Sequence, residues 1–143
     1  MIRRPHWQRV ETISGHNING PWDMTAVEDE DAFVLFVTNV LNGTVAANGN
    51  TVNGGTVARL VFAVPESGSP HLIESVVIAS DFPERTDPAV LVIGLTGVAF
   101  DRETSDLLVA DSLDNRIAAI PNALTRAHSA GMGRTNSSGG ALR

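Results

Sequence analysis

Leu107-Leu108-Val109-Ala110-Asp111-Ser112-Leu113-Asp114-Asn115-Arg116-Ile117, led in by Gly94-Leu95-Thr96-Gly97-Val98-Ala99-Phe100-Asp101, decides the fold, because the same order of elements occurs earlier in the chain. Gly20-Pro21-Trp22-Asp23-Met24-Thr25-Ala26-Val27 precedes Leu35-Phe36-Val37-Thr38-Asn39-Val40-Leu41-Asn42-Gly43-Thr44-Val45. Gly20 and Gly94 are 74 positions apart, Leu35 and Leu107 are 72, so the length difference falls in the hairpin between the two segments. A repeat of strand, turn, strand, turn, strand in fixed order marks a propeller or a solenoid rather than an ordinary sandwich.

Working outward, Trp22, Met24 and Ala26 alternate on one face of the first strand, and Trp22 reads as a packing residue beside Met24. The acidic run Glu28-Asp29-Glu30-Asp31 reads as a solvated hairpin tip, since four like charges in a packed sheet would repel one another. The apolar run Phe33 to Thr38 then reads as a strand buried on both faces. Ala46 to Gly55 contains Asn-Gly pairs, which favour positive φ and tight turns, and is expected to be a loop or a small extra hairpin. Thr56 to Val64 and Leu72 to Ala79 supply further strands on either side of the turn from Pro65 to Pro70, completing a first four-stranded unit over residues 20–82. The second unit, residues 94–143, has strands at Gly97 to Asp101, Leu107 to Asp111 and Arg116 to Ile120. A short helical turn is expected at Ala123 to His128, and its outer strand would have to come from Gly133 to Leu142. Residues Trp7 to Ile13 alternate as a short leading strand.

The 143 residues fit a single domain, large enough to bury about two thirds of its unfolded surface. Hydrophobic residues at 43% and 13 glycines, with β-branched residues in short runs, place the chain among strand-rich globular proteins. The net charge of −6 and ten scattered basic residues, all arginine, leave no basic footprint for nucleic acid. With no cysteine, disulfides, thiolate metal sites and cysteine nucleophiles are excluded, and the compartment is not indicated. No window approaches the length of apolar sequence that crosses a membrane, and Arg3-Arg4 is followed by Gln8-Arg9 and Glu11 instead of the apolar run an export signal requires.

The two patterns together resemble the NHL-repeat class of β-propeller and, more loosely, the six-bladed group that includes gluconolactonase-like proteins. The resemblance spans about residues 20–120 and implies an all-β chain of about two four-stranded blades. In such repeats, residues matching Asp111, Ser112, Asn115 and Arg116 tie neighbouring strands together; the first copy departs, with Asn39-Val40 and Gly43-Thr44 at those places. Four to eight blades normally close a ring and protect its sheet edges. The resemblance therefore implies either self-association, with a homotrimer closing six blades as the simplest case, or a longer chain of which these are two blades.

For chemistry, Asp23, Asn39, Asp111 and Asp114 are the metal candidates. Oxygen ligands from adjacent strands suit Ca²⁺, which the gluconolactonase-like resemblance implies for a central channel. The competing reading is that each is a turn-forming residue bonded to nearby backbone. His6, His16, His71 and His128 lack zinc-motif spacing, and no Gly-x-Ser-x-Gly elbow accompanies any serine, so no catalytic residue is assigned. Asn42-Gly43-Thr44 and Asn136-Ser137-Ser138 match a glycosylation pattern too common to carry a role. A non-enzymatic binding or scaffold module is the expected function. The alternatives are a part of a Ca²⁺-dependent, lactonase-like hydrolase, in which the metal polarises an ester carbonyl and an Asp acts as general base, and a truncated propeller without independent function.

Overall fold

Pro21, with no N–H to leave unpaired, opens the first of nine β-strands in a computed structural model that describes residue 9 and residues 11–135. One antiparallel sheet holds β1 (Pro21–Asp29), β2 (Ala32–Asn39), β3 (Val52–Ala63), β4 (His71–Asp87) and β5 (Leu91–Ile93) in that order. A second holds β6 (Leu95–Asp101), β7 (Asp106–Asp111), β8 (Arg116–Ile120) and β9 (Arg134–Thr135). The described residues contain no helix, so the fold is all-β.

The sequence repeat is also a repeat of register. Met24 pairs with Val37 as Val98 pairs with Val109, and both first hairpins carry a bulge at the same place, between Pro21 and Asp23 and between Leu95 and Gly97. Each hairpin is closed beyond its last pair by the same backbone bond, Val40 N–H to the Gly20 carbonyl at 2.8 Å and Ser112 N–H to the Gly94 carbonyl at 3.0 Å. Gly20 is required there: its φ is 134°, and a Cβ would stand 2.0 Å from the Val40 oxygen. The two extra residues of the first copy extend the ladder. Glu28 pairs with Phe33 and Asp29 with Ala32, around a two-residue turn in which Glu30 adopts φ 41°. The second copy stops at Asp101↔Asp106, and the Asp101 carboxylate instead organises a four-residue turn by accepting from Glu103 N–H and the Thr104 hydroxyl, each at 2.9 Å. These two bonds hold its pKa below the ordinary carboxylate value. Glu28, Glu30 and Asp31 are exposed at the first tip, as solvated charges should be.

Several local expectations change. Gly54 and Gly55 lie inside β3, not in a loop: a Cβ on Gly55 would come within 2.9 Å of the Phe82 Cβ, so these glycines serve the close approach of β4. β4 continues to Asp87, eight residues past the expected end at Ala79, and its far end pairs with β5 to lead the chain into the second sheet. Residues 121–125 form turns without a helix. The outer strand of the second sheet begins as β9, and the rest of the expected span, 136–142, lies outside the described residues. Of the leading strand expected at 7–13, residues 7, 8 and 10 lie outside the described residues, and residues 9 and 11–13 are not strand.

The sheets stack face to face. Register places Thr25, Val27, Val34 and Phe36 on one face of the first sheet, and Val98, Phe100, Leu107, Val109, Ala118 and Ile120 on the facing side of the second. Together with Ile78, Phe82, Leu95 and Val92 they make the main core, in which Phe36 stacks on Phe100 at 5.7 Å. Three further ties join the sheets from inner to outer strands. Asp23 Oδ2 accepts from Val98 N–H at 3.0 Å, the Arg59 guanidinium donates to the Ala123 and Leu124 carbonyls at 3.3 and 2.8 Å, and β4 exchanges backbone bonds with residues 130 and 131.

Candidate functional site

The metal candidates lie at or beside strand ends, and the side chains of Asn39, Asp111 and Asp23 are taken up by hydrogen bonds, whereas that of Asp114 is not. Asn39 is fully buried at the last pair of β2 with β3, where its amide uses both ends: Nδ2 donates to the Asn17 carbonyl at 2.9 Å and the Thr56 hydroxyl at 3.1 Å, while Oδ1 accepts from Asn19 N–H at 3.1 Å. Asp111 occupies the equivalent last pair of β7 with β8, opposite Arg116. Its Oδ2 accepts from Arg116 Nε at 3.0 Å and its Oδ1 from Asp114 N–H at 3.4 Å. Arg116 goes on to the Met132 carbonyl and the Thr135 hydroxyl, with its guanidinium carbon 5.6 Å from the Phe82 ring centre. Ser112 bonds Gly94 through its hydroxyl at 2.8 Å, and Asn115 takes the left-handed conformation, φ 50°, that the turn needs. The same ladder position is therefore locked by a neutral amide and hydroxyl in the first sheet and by an ion pair in the second.

Asp23 is engaged differently: it caps an N–H on the open edge of β6. Asp114 is exposed and contributes its backbone to the turn. A Ca²⁺ cage needs six to eight oxygens converging on one point. Here both Asp111 oxygens face N–H donors, Asn39 spends its oxygen on Asn19, and among the described residues no three acidic or imidazole side chains come together. The four residues do not fit a shared ion. His16, His71 and His128 are each exposed and apart, and His6 lies outside the described residues.

Two buried charges escaped the sequence reading. Arg59, 4% exposed, sits mid-strand in β3, bonded to Glu74 of β4 as well as to Ala123 and Leu124. Its signal was present: a lone arginine inside Val57-Ala58-Arg59-Leu60-Val61-Phe62 is buried only when paired. Glu84 of β4 is fully buried beneath Gly54 and Gly55, with neither carboxylate oxygen in hydrogen-bond geometry with a partner. Desolvation raises its pKa above the ordinary value, while the nearby peptide groups of Asn42 and Leu41 pull the other way. Leu41 holds a left-handed φ of 73° at this point, so the loop after β2 is strained where it covers the carboxyl.

The outward faces of the two sheets differ. On the first, Val37, Ala58, Leu60 and Phe62 form a second cluster covered by Ile13 and Ile18. The turn from Gly15 to Ile18 is pinned there: Asn17 Nδ2 donates to the Ser75 hydroxyl at 2.8 Å, and Ser75 donates to the His16 carbonyl. This cover reaches β2 and β3 but not β1, so Trp22 and Met24 remain 43% and 58% exposed, and Trp22 is not a core residue in this chain. On the second sheet, Gly97, Ala99, Leu108, Ala110 and Ile117 line an open hollow of about 430 Å³ with Asp23 at its lip. Nothing among the described residues covers it.

No protein-family model matches the chain, and no curated protein or solved structure is significantly similar to it. No helix among the described residues is long and apolar enough to cross a membrane.

Proposed function

We propose that this chain is a two-blade β-propeller module of the NHL type that works without catalysis, as a binding or scaffold unit. Its blades are completed into a ring by further copies, three chains giving six blades. The observation that carries the reading is the equivalence of faces. The face of the first sheet that packs inward holds Asp23, Thr25, Phe36 and Thr38, and its repeat-equivalents in the second sheet are Gly97, Ala99, Leu108 and Ala110, the bare outward face. The face of the second sheet that packs inward holds Val98, Phe100, Leu107 and Val109, equivalent to Met24, Ala26, Leu35 and Val37 on the outward face of the first. Each sheet thus has one face of each kind, the condition for blades to succeed one another around an axis. The polar side chains at the strand ends are spent on holding strands together, which supports a role in presentation rather than chemistry.

Light scattering on a sizing column tests it. A discrete species of three times the 15.1 kDa chain mass is the expected result. A one-chain mass at all concentrations overturns ring completion by copies and moves the module into a longer propeller.

A further inference from the structure

We infer that the bare face of the second sheet receives the outward face of the first sheet of a second copy, in a head-to-tail contact centred on Met24 seated over Gly97 and Ala110; this rests on the propeller reading above. Register alone makes these faces equivalent to the pair already joined inside the chain, and side-chain size then selects them for each other. Inside the chain, Val98 meets a face carrying Asp23 and Thr38. At the unpaired faces every one of these is exchanged in the compensating direction. Met24 replaces Val98 and is larger, whereas Gly97 replaces Asp23 and Ala110 replaces Thr38, both smaller. The hollow over Gly97 and Ala110 is apolar apart from the Asp23 carboxylate at its lip, which is already engaged by Val98 N–H, and Met24 is a flexible apolar side chain suited to an irregular gap. Trp22, standing at the bulge where the second sheet has Thr96, adds a large exposed apolar surface beside it.

The same substitutions set the limits of the contact. Farther out, Leu108 opposite Ala26 replaces the Phe36–Phe100 stack, and no carboxylate at position 97 caps the Met24 N–H as Asp23 caps Val98. Ile13 and Ile18 already cover β2 and β3, confining the approach of a second copy to β1. The contact between copies is therefore weaker than the joint within the chain and concentrated on the inner strands. Because it joins two different faces, it is heterologous and generates a ring where the rotation closes.

Charge placed on either face tests the inference. Ala110→Glu and Met24→Glu are each expected to lower the solution mass to one chain, with unfolding transitions kept close to the parent, since both side chains point outward. An equimolar mixture of the two is expected to form a species of two chains, because each retains the face the other lacks. Val45→Glu, on a loop residue 82% exposed, is expected to leave the mass unchanged. Should the parent chain associate while either variant keeps the parent mass, the assembly reading survives and this surface is wrong. A parent chain of one-chain mass removes both. If Ala110→Glu fails to fold, Ile117→Asp, on the same face and 48% exposed, replaces it.

Discussion

The two sheets of this protein share a backbone and differ in what seals them. Both start with the same bulge, pair in the same register and close with the same bond beyond the last rung. Yet the first sheet is apolar on both sides, with a main core on one and Ile13 and Ile18 pinned over the other, whereas among the described residues the second is covered on one side only. The repeat therefore dictates ladder and turn geometry, and a handful of side chains off the repeat decide which face is closed. Burial is the term that separates the two, because a side chain released to water contributes little to stability wherever it stands in the repeat.

The largest effect should come from testing that difference within one sheet. Phe36, fully buried between the sheets, stacks on Phe100, while Phe33 stacks on Phe62 on the outward face and is only half buried. Phe36→Ala is expected to cost roughly 4 kcal/mol in urea unfolding, and Phe33→Ala about half of that, because part of its surface is already solvated. Equal costs would mean that the cover over the outward face is as tight as the joint between the sheets, and the contrast drawn above would fail.

The end-of-ladder locks offer a second comparison, since equivalent positions solve one problem with different chemistry. Asn39→Asp would bury a charge opposite the Asn17 carbonyl, which loses its donor while the Thr56 hydroxyl can turn to donate instead, and is expected to cost about 3 kcal/mol at neutral pH. Asp111→Asn removes the charge that holds Arg116 but leaves that arginine its bonds to Met132 and Thr135, so about 1.5 kcal/mol is expected. The order of the two losses is the informative quantity. If Asp111→Asn were the more damaging, the ion pair and not the neutral network would be the stronger lock.

The sequence showed the repeat clearly, and with it the all-β class and most strands of both hairpins, because period-2 alternation and turn residues are local signals, whereas the role of Asp111 and Arg116 in tying strands together was implied only by the family resemblance. What escaped it depends on contacts distant along the chain. Gly54 and Gly55 looked like turn residues, yet Gly55 is constrained by Phe82 and Gly54 by the Asn42 carbonyl and Glu84, all distant along the chain. Trp22 and Met24 looked like core because alternation shows which residues share a face, not whether anything lies over it. Arg59 and Glu84 are charges inside strands, and only the fold reveals that one has partners and the other has none in hydrogen-bond geometry.

Glu84 gives the smallest and most selective test, because it distinguishes the strained cover of the first sheet from the open turn of the second by pH alone. Its folded-state pKa is raised by burial, so the stability associated with its protonated form is fully present below the ordinary value of 4.5 and is lost as pH rises through the folded value. Asp101, in the turn of the second sheet, and Asp87, which accepts from Ala89 N–H and Arg85, are shifted the opposite way. Their contribution is present above the ordinary value of 3.8 and is lost as pH falls through their lowered folded values. The two windows do not overlap. Glu84→Gln keeps the side-chain shape and removes the titration, so it should flatten the decline in thermal midpoint above pH 4.5 while leaving the acid limb unchanged. The variant's advantage over the parent should grow from pH 4 to pH 7. A parallel offset at every pH would instead show that the carboxyl is already solvated in the native state, and that the loop from Val40 to Thr51 opens over it rather than sealing it.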